Sequence, residues 1–207
     1  MKLQLALDRL SKEDCVRLIS ETRESVDWIE IGTGTIKEHG IAFVEATKRE
    51  WPEKTIVADM KICDAGRHEA ELAFRAGADV VTVMGFANLM TIWEVISVAR
   101  ECGKDVMVDL LEITDPDRVA EIAETGADLF CLHVGKDRQG TEEASLNEQY
   151  PLVSGLKDAR IAVAGGIGPE SVPALIEMGV DVAIVGSAIT KSDDPGKAAA
   201  ELAALLQ

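Results

Sequence analysis

Short apolar runs alternate with longer stretches of helical period eight times along the chain. The runs fall at residues 3–7, 28–31, 55–58, 80–84, 106–110, 129–132, 161–164 and 182–185 and are rich in β-branched and leucine side chains. Amphipathic segments lie between them, among them 69–76, 90–102, 117–125 and 171–178. That order is the signature of a parallel sheet, whose neighbouring strands need a crossover and whose crossover helices bury their apolar faces on the sheet. Gly77-Ala78-Asp79, Gly126-Ala127-Asp128 and Gly179-Val180-Asp181 each follow a helical segment. Glycine just past a helix takes up the left-handed cap at little cost, so each triplet marks a turn into the next strand.

Two parallel architectures compete for such a pattern. An open doubly wound sheet would announce a dinucleotide site by G-x-G-x-x-G after the first strand, where this chain has Leu7-Asp8-Arg9-Leu10. The glycines fall after the seventh and eighth runs instead. Spread over 207 residues, eight units take about 26 residues each, short but workable for a (β/α)8 TIM barrel. The expectation is therefore one catalytic barrel domain over residues 1–207, with residues 137–145 a loop after the sixth strand.

Charge and composition narrow the function. A formal net charge of -16 opposes nucleic acid, whose binding needs clustered Lys and Arg to displace counterions. An anionic small substrate would be held by backbone N–H dipoles or a bound cation. The apolar runs are strand-sized and the first begins almost at Met1, so neither a membrane span nor a secretory segment is expected and the location reads as cytoplasmic. Cys15, Cys63, Cys102 and Cys131 form no C-x-x-C pair, which excludes a zinc knuckle, and Cys63 is expected to pack as an inert thiol. His39 and His68 lie in helical stretches and are expected at the surface or at caps.

Barrel strands are apolar along their length, so charged residues at their carboxyl ends call for an explanation. Asp8, Glu30, Asp59, Asp109 and His133 all occupy that end. One such residue is readily a helix cap, but an active site built from βα loops requires several in register. Strand alternation puts Lys61 on the same side as Asp59, with Asp64 following on the loop. Glu30 and Asp59, from adjacent strands, offer two carboxylates to one hard cation, for which Mg2+ fits best, with Mn2+ the substitute. Zinc would want imidazoles at those positions. Ala164-Gly165-Gly166-Ile167-Gly168 and Gly186-Ser187-Ala188 leave the seventh and eighth strands, where barrels hold phosphate; Gly165, Gly166, Ile167, Gly186 and Ser187 are the expected contacts.

Leu5-Ala6-Leu7-Asp8, Glu30-Ile31-Gly32-Thr33, Ala58-Asp59-Met60-Lys61, Asp64-Ala65-Gly66, His133-Val134-Gly135 with Asp137 and Gln139, and Ala164-Gly165-Gly166-Ile167 together resemble the orotidine-monophosphate decarboxylase superfamily. The likeness runs from the first strand to the last. It implies a homodimer, Mg2+ on Glu30 and Asp59, and Asp64 contributed across the interface. Within the superfamily the chain is most similar to the branch whose members join ribulose 5-phosphate to formaldehyde through a 1,2-enediolate. A sister branch decarboxylates 3-keto-L-gulonate 6-phosphate through a like intermediate. Val134 and Lys136, where the sister branch carries arginines, and Asp109, where it carries Glu, favour the condensing branch. Lys136 nevertheless keeps one positive charge, and Gly34-Thr35 departs from the condensing branch's own pattern.

On this reading Lys61 donates to the developing oxyanion and Asp8 and Asp64 keep it charged. His133 transfers the proton, while Asp109 and Lys136 contact substrate. The rival classes are the metal-independent orotidine-monophosphate decarboxylase itself and a barrel that binds sugar phosphate without chemistry.

Overall fold

The computed structural model describes residues 1–138 and 149–207. Eight parallel strands close into a barrel in the order of the sequence, the first pairing with both the second and the eighth. They are β1 Lys2–Leu7, β2 Trp28–Ile31, β3 Thr55–Ile62, β4 Val80–Met84, β5 Asp105–Asp109, β6 Leu129–His133, β7 Arg160–Ala164 and β8 Val182–Val185. The helices among the described residues are α1 Lys12–Thr22, α2 Thr33–His39, α3 Ala42–Glu50, α4 Gly66–Arg75, α5 Leu89–Cys102, α6 Pro116–Glu124, α7 Val172–Glu177, α8 Ser187–Thr190 and α9 Pro195–Leu205. In the 137–145 segment, Asp137 and Arg138 belong to a short 3-10 turn, Lys136–Arg138; Gln139 onward lies outside the described residues. None of the described helices is long and apolar enough to cross a membrane.

Alternation along each strand divides the apolar side chains into two cores. Leu3, Leu5, Leu7, Ile29, Ile31, Ile56, Ala58, Val81, Val83, Phe130 and Leu132 face the helices. Val57, Val80, Met107, Leu129, Cys131, Ala162, Val182 and Ile184 pack together inside the barrel. Polar residues enter this inner set toward the carboxyl ends, where Glu30, Asp59, Thr82, Asp109 and His133 continue the inward-facing phase of their strands and line one cavity. The candidate site is thus the top layer of the barrel interior.

One strand breaks the rule of even pairing. Ala58 pairs with Val81 and Ile62 with Val83, so Asp59, Met60 and Lys61 of β3 stand opposite Thr82 alone. The surplus makes a bulge, and Lys61 takes a left-handed backbone with φ +48° to accommodate it. β3 consequently runs on to Ile62, four residues past the expected end, and Asp59 lies inside the strand rather than closing it. Ala65, at φ +50°, then turns the chain so that α4 starts at Gly66 rather than near residue 69. A Cβ on Gly66 would meet the Thr91 carbonyl oxygen at 2.4 Å, so glycine is what lets α4 lie against α5.

Candidate active site

A cavity of about 330 Å³ opens at the carboxyl ends of the strands. Asp8, Glu30, Asp59, Lys61, Asp109, His133, Lys136, Gly165, Gly166, Ile167, Gly186 and Ser187 all line it. Of the expected site residues only Asp64 does not. It sits exposed on the loop after β3, beside Cys63, which is also exposed rather than packed because that loop leaves the barrel toward solvent.

At the floor, buried carboxylates share one ammonium. Lys61 Nζ donates to Asp109 Oδ2 at 2.6 Å and lies 3.3 Å from Asp59 Oδ1. Burial alone would pull the lysine down, but the charges of Asp59 and Asp109 and the hydrogen bond to Asp109 outweigh it, and the ammonium is held above the ordinary lysine range. Asp8 does not take part. Its Oδ1 accepts the Gly34 N–H at 2.7 Å and its Oδ2 pairs with Arg9 Nε at 3.1 Å, so the carboxylates keeping Lys61 charged are Asp59 and, two strands away, Asp109. Gly32 and Gly34 make room for this: a Cβ at either would fall 2.6 Å from an Asp8 side-chain atom.

Asp109 also orients His133. The imidazole Nδ1 lies 2.9 Å from Asp109 Oδ2 and 3.1 Å from Oδ1. An ionised carboxylate only accepts, so Nδ1 carries the proton and Nε2 is left for chemistry. Burial would raise Asp109, yet the hydrogen bond and charge of His133 and the charge of Lys61 bring it down to about 2. Glu30 goes the other way. Burial first, then the neighbouring Asp59 charge, push it up to about 8, against the hydrogen bond that Gln4 Nε2 donates to Glu30 Oε2 at 2.6 Å.

Each oxygen of Asp59 is matched to a threonine. Thr33 Oγ1 lies 2.7 Å from Oδ2, and Thr82 Oγ1 donates to Oδ1 at 2.8 Å. Thr33, Thr82 and Gln4 were not among the expected site residues. Their sequence signal was a polar side chain in an otherwise apolar strand, as in Leu-Gln-Leu and Val-Thr-Val, or just past one.

The donor set suits a hard divalent cation. Glu30 and Asp59 supply carboxylate oxygens, and the local excess of negative charge that raises Glu30 is what such an ion would offset. With two protein carboxylates, an ion here would complete its shell with water or substrate oxygens, the habit of Mg2+; among the described residues no cluster of three or more His, Cys, Asp and Glu disposed to hold a metal occurs.

On the opposite rim, Gly165 has φ +101°, and a Cβ there would meet the Val134 carbonyl oxygen at 2.2 Å. Gly166 has φ +71°. Lys191, unforeseen in the sequence, lines the cavity just beyond α8.

A closed (β/α)8 barrel with acids, a lysine and a histidine gathered in one cavity under glycine-rich rims has the build of a barrel enzyme. Residues 1–202 match the orotidine 5′-phosphate decarboxylase / HUMPS family, and the chain belongs to it. It is 41% identical to the 3-hexulose-6-phosphate synthase of Mycobacterium gastri, with all of both chains covered. Among solved structures, the 3-hexulose-6-phosphate synthase of Salmonella typhimurium is 40% identical, covers 100% of this chain and 98% of its own, and superposes with a TM-score of 0.96. The 3-keto-L-gulonate-6-phosphate decarboxylase of Vibrio cholerae is 25% identical, covers 99% of this chain and 96% of its own, and superposes with a TM-score of 0.87.

Proposed function

We propose that the chain is a 3-hexulose-6-phosphate synthase, a reversible aldolase that joins ribulose 5-phosphate to formaldehyde. The observation that carries the reading is the arrangement of Lys61 and His133 on the shared carboxylate Asp109, with Asp59 beside Lys61 and Glu30 in the same cavity. The full-length identity to proteins of that name supports it.

Catalysis begins with loss of a C1 proton from ribulose 5-phosphate. His133 takes it through Nε2, with Asp109 stabilising the imidazolium that forms. The electron pair left behind becomes a 1,2-enediolate. Lys61 donates to the oxygen on which charge grows, a contact stronger in the transition state than with the neutral ketone. C1 then attacks the formaldehyde carbon, one C–C bond forms, and the formaldehyde oxygen receives the proton from His133. The product is D-arabino-hex-3-ulose 6-phosphate. A Mg2+ or Mn2+ ion held by Glu30 and Asp59 would supply Lewis-acid polarisation of the carbonyl. Gly165, Gly166, Ile167, Gly186 and Ser187 bind the phosphate on the rim, and Lys136 faces the rest of the substrate from the loop after β6.

The active form is a homodimer with Asp64 reaching the partner's site. Phe86, Met90 and Trp93 are exposed on and just before α5. The close approach of Gly66 to the Thr91 carbonyl brings α5, which carries Met90 and Trp93, against the start of α4, which follows the Asp64 loop.

Decarboxylation of 3-keto-L-gulonate 6-phosphate is the second reading, favoured by the cation Lys136 in the cavity and by the likeness to the Vibrio cholerae decarboxylase. Formaldehyde consumption with ribulose 5-phosphate, measured against CO2 release from the keto acid, separates the two. A preference for the keto acid overturns the proposal.

A further inference from the structure

We infer that Thr82 is a positioning residue for the reaction, the device by which the bulge in β3 sets Lys61 and Asp59 against each other. The inference rests on the reading of Lys61 as the oxyanion donor and of Asp59 as a cation ligand.

Thr82 stands alone opposite Asp59, Met60 and Lys61 in the β3–β4 ladder. A bulge leaves backbone groups without their usual ladder partners, and a buried N–H so orphaned is costly. The hydroxyl of Thr82 fills that gap. Its Oγ1 accepts the Lys61 N–H at 2.8 Å and donates to Asp59 Oδ1 at 2.8 Å. Because its lone pairs face the amide, the hydroxyl proton is committed to the carboxylate. The N–H to hydroxyl to carboxylate chain has one sense only.

Two consequences follow for the site. The chain ties the backbone of Lys61, strained at φ +48°, to the side chain two residues before it, so that ammonium and carboxylate move as one unit. It also turns Asp59 so that Oδ1 is engaged by Thr82 and Lys61 while Oδ2 is met by Thr33. At 4% exposure Thr82 is buried, so removing its hydroxyl takes a partner from a buried N–H and a buried carboxylate at once. Valine has the same shape and the same fit to a strand, and packing alone gives no reason for a hydroxyl in Val-Val-Thr-Val-Met.

The test compares Thr82→Val, which keeps volume and loses the hydroxyl, with Thr82→Ser, which keeps the hydroxyl and loses the methyl. Thr82→Val is expected to lower kcat for condensation about 10- to 100-fold, with KM for ribulose 5-phosphate within about 3-fold, because displacing a catalytic group by an ångström costs turnover more than binding. Thr82→Ser is expected to stay within about 3-fold of wild type in both. Hydrogen exchange of the Lys61 amide is read on the same proteins and is expected to speed up in Thr82→Val but not in Thr82→Ser.

A Thr82→Val enzyme with wild-type kcat, or a Thr82→Ser enzyme as impaired as Thr82→Val, overturns the inference. If Thr82→Val does not fold, Thr82→Ser is compared with Thr82→Ala, which differs by the hydroxyl alone. Should the wild-type protein fail to condense formaldehyde, the proposed function falls and the Lys61 exchange rates alone decide: no difference between variants overturns the role of Thr82.

Discussion

His133 is gripped at Nδ1 by both oxygens of Asp109, which leaves the ring no freedom to present any atom but Nε2 for proton transfer. Replacing it by Asn keeps a polar side chain while removing the base. His133→Asn is expected to lower kcat by about 10²- to 10⁴-fold, with KM for the sugar phosphate changed only a few-fold. Steady-state kinetics decide this, and an unchanged kcat removes His133 from the mechanism. Glu30 makes a prediction of opposite character. Burial raises its folded-state pKa to about 8, so the folded protein holds this proton more tightly than the unfolded chain. Stability from this group is complete below the ordinary glutamate range and is lost as pH climbs toward that value. In EDTA the thermal midpoint should therefore fall between about pH 5 and 8, at about 2–4 °C per kcal/mol for a chain of this length, and Mg2+ should restore it. Glu30→Gln should flatten the profile; a wild-type profile already flat in EDTA would count against the buried acid. Residue chemistry also explains a misassignment. Asp8 and Lys61 are both at carboxyl strand ends, and register alone gave no reason to prefer Asp109 over Asp8 as the lysine's partner. That choice depends on which side chains of non-adjacent strands meet inside the barrel.

The αβ turns were legible as turns but not for what their last residue does. In Gly77-Ala78-Asp79 the aspartate accepts the first free N–H of the preceding strand, from Ile56, as Asp181 does for Ile161; Asp27, before β2, does the same for Leu3. Asp79 also ties in Lys48 of α3 at 2.8 Å and Lys104 before β5 at 2.6 Å. The barrel thus carries acids at both ends. Those at the amino end are matched by lysines, Arg160 and backbone N–H groups, whereas on the cavity floor Asp59 and Asp109 share the one ammonium of Lys61. Partial burial would raise Asp79, but its bonds to Lys104 and Lys48 hold it below the usual aspartate range. Its stabilisation is present above the unfolded-state pKa and lost as pH falls through the folded one. Asp79→Asn should cost about 1–2 kcal/mol at neutral pH, after allowance for solvent screening, and much less near pH 3. Denaturant melts at the two pH values test this, and an equal loss at both contradicts it. Four of the five non-glycine residues with positive φ among the described residues, Arg9, Lys61, Ala65 and Glu112, follow or end β1, β3 and β5 at the cavity side. The strain sits where the site is built.

At the scale of the molecule the proposed assembly makes its own prediction. If Asp64 completes the partner's site, neither Lys61→Ala nor Asp64→Ala should be active alone, yet mixing the two after dissociation should recover about a quarter of wild-type activity. Half the chains would then form hybrids with one intact site of two. Recovery near zero, with dimers demonstrated by sedimentation, would confine each site to a single chain. The barrel itself was readable because its determinants are local and periodic: apolar runs of strand length, helical spacing between them, and glycines at the turns. All eight strands occur where that pattern puts them, and only β3 departs by more than a residue at either end. Charged residues toward the carboxyl ends of apolar strands likewise named Glu30, Asp59, Asp109 and His133. Only the closed structure decided that Lys61 belongs to Asp109 and that Thr82 alone faces the bulge. These contacts join strands 21 and 48 residues apart in the chain, and a chain's period says which way a side chain points but not what waits for it on the other side.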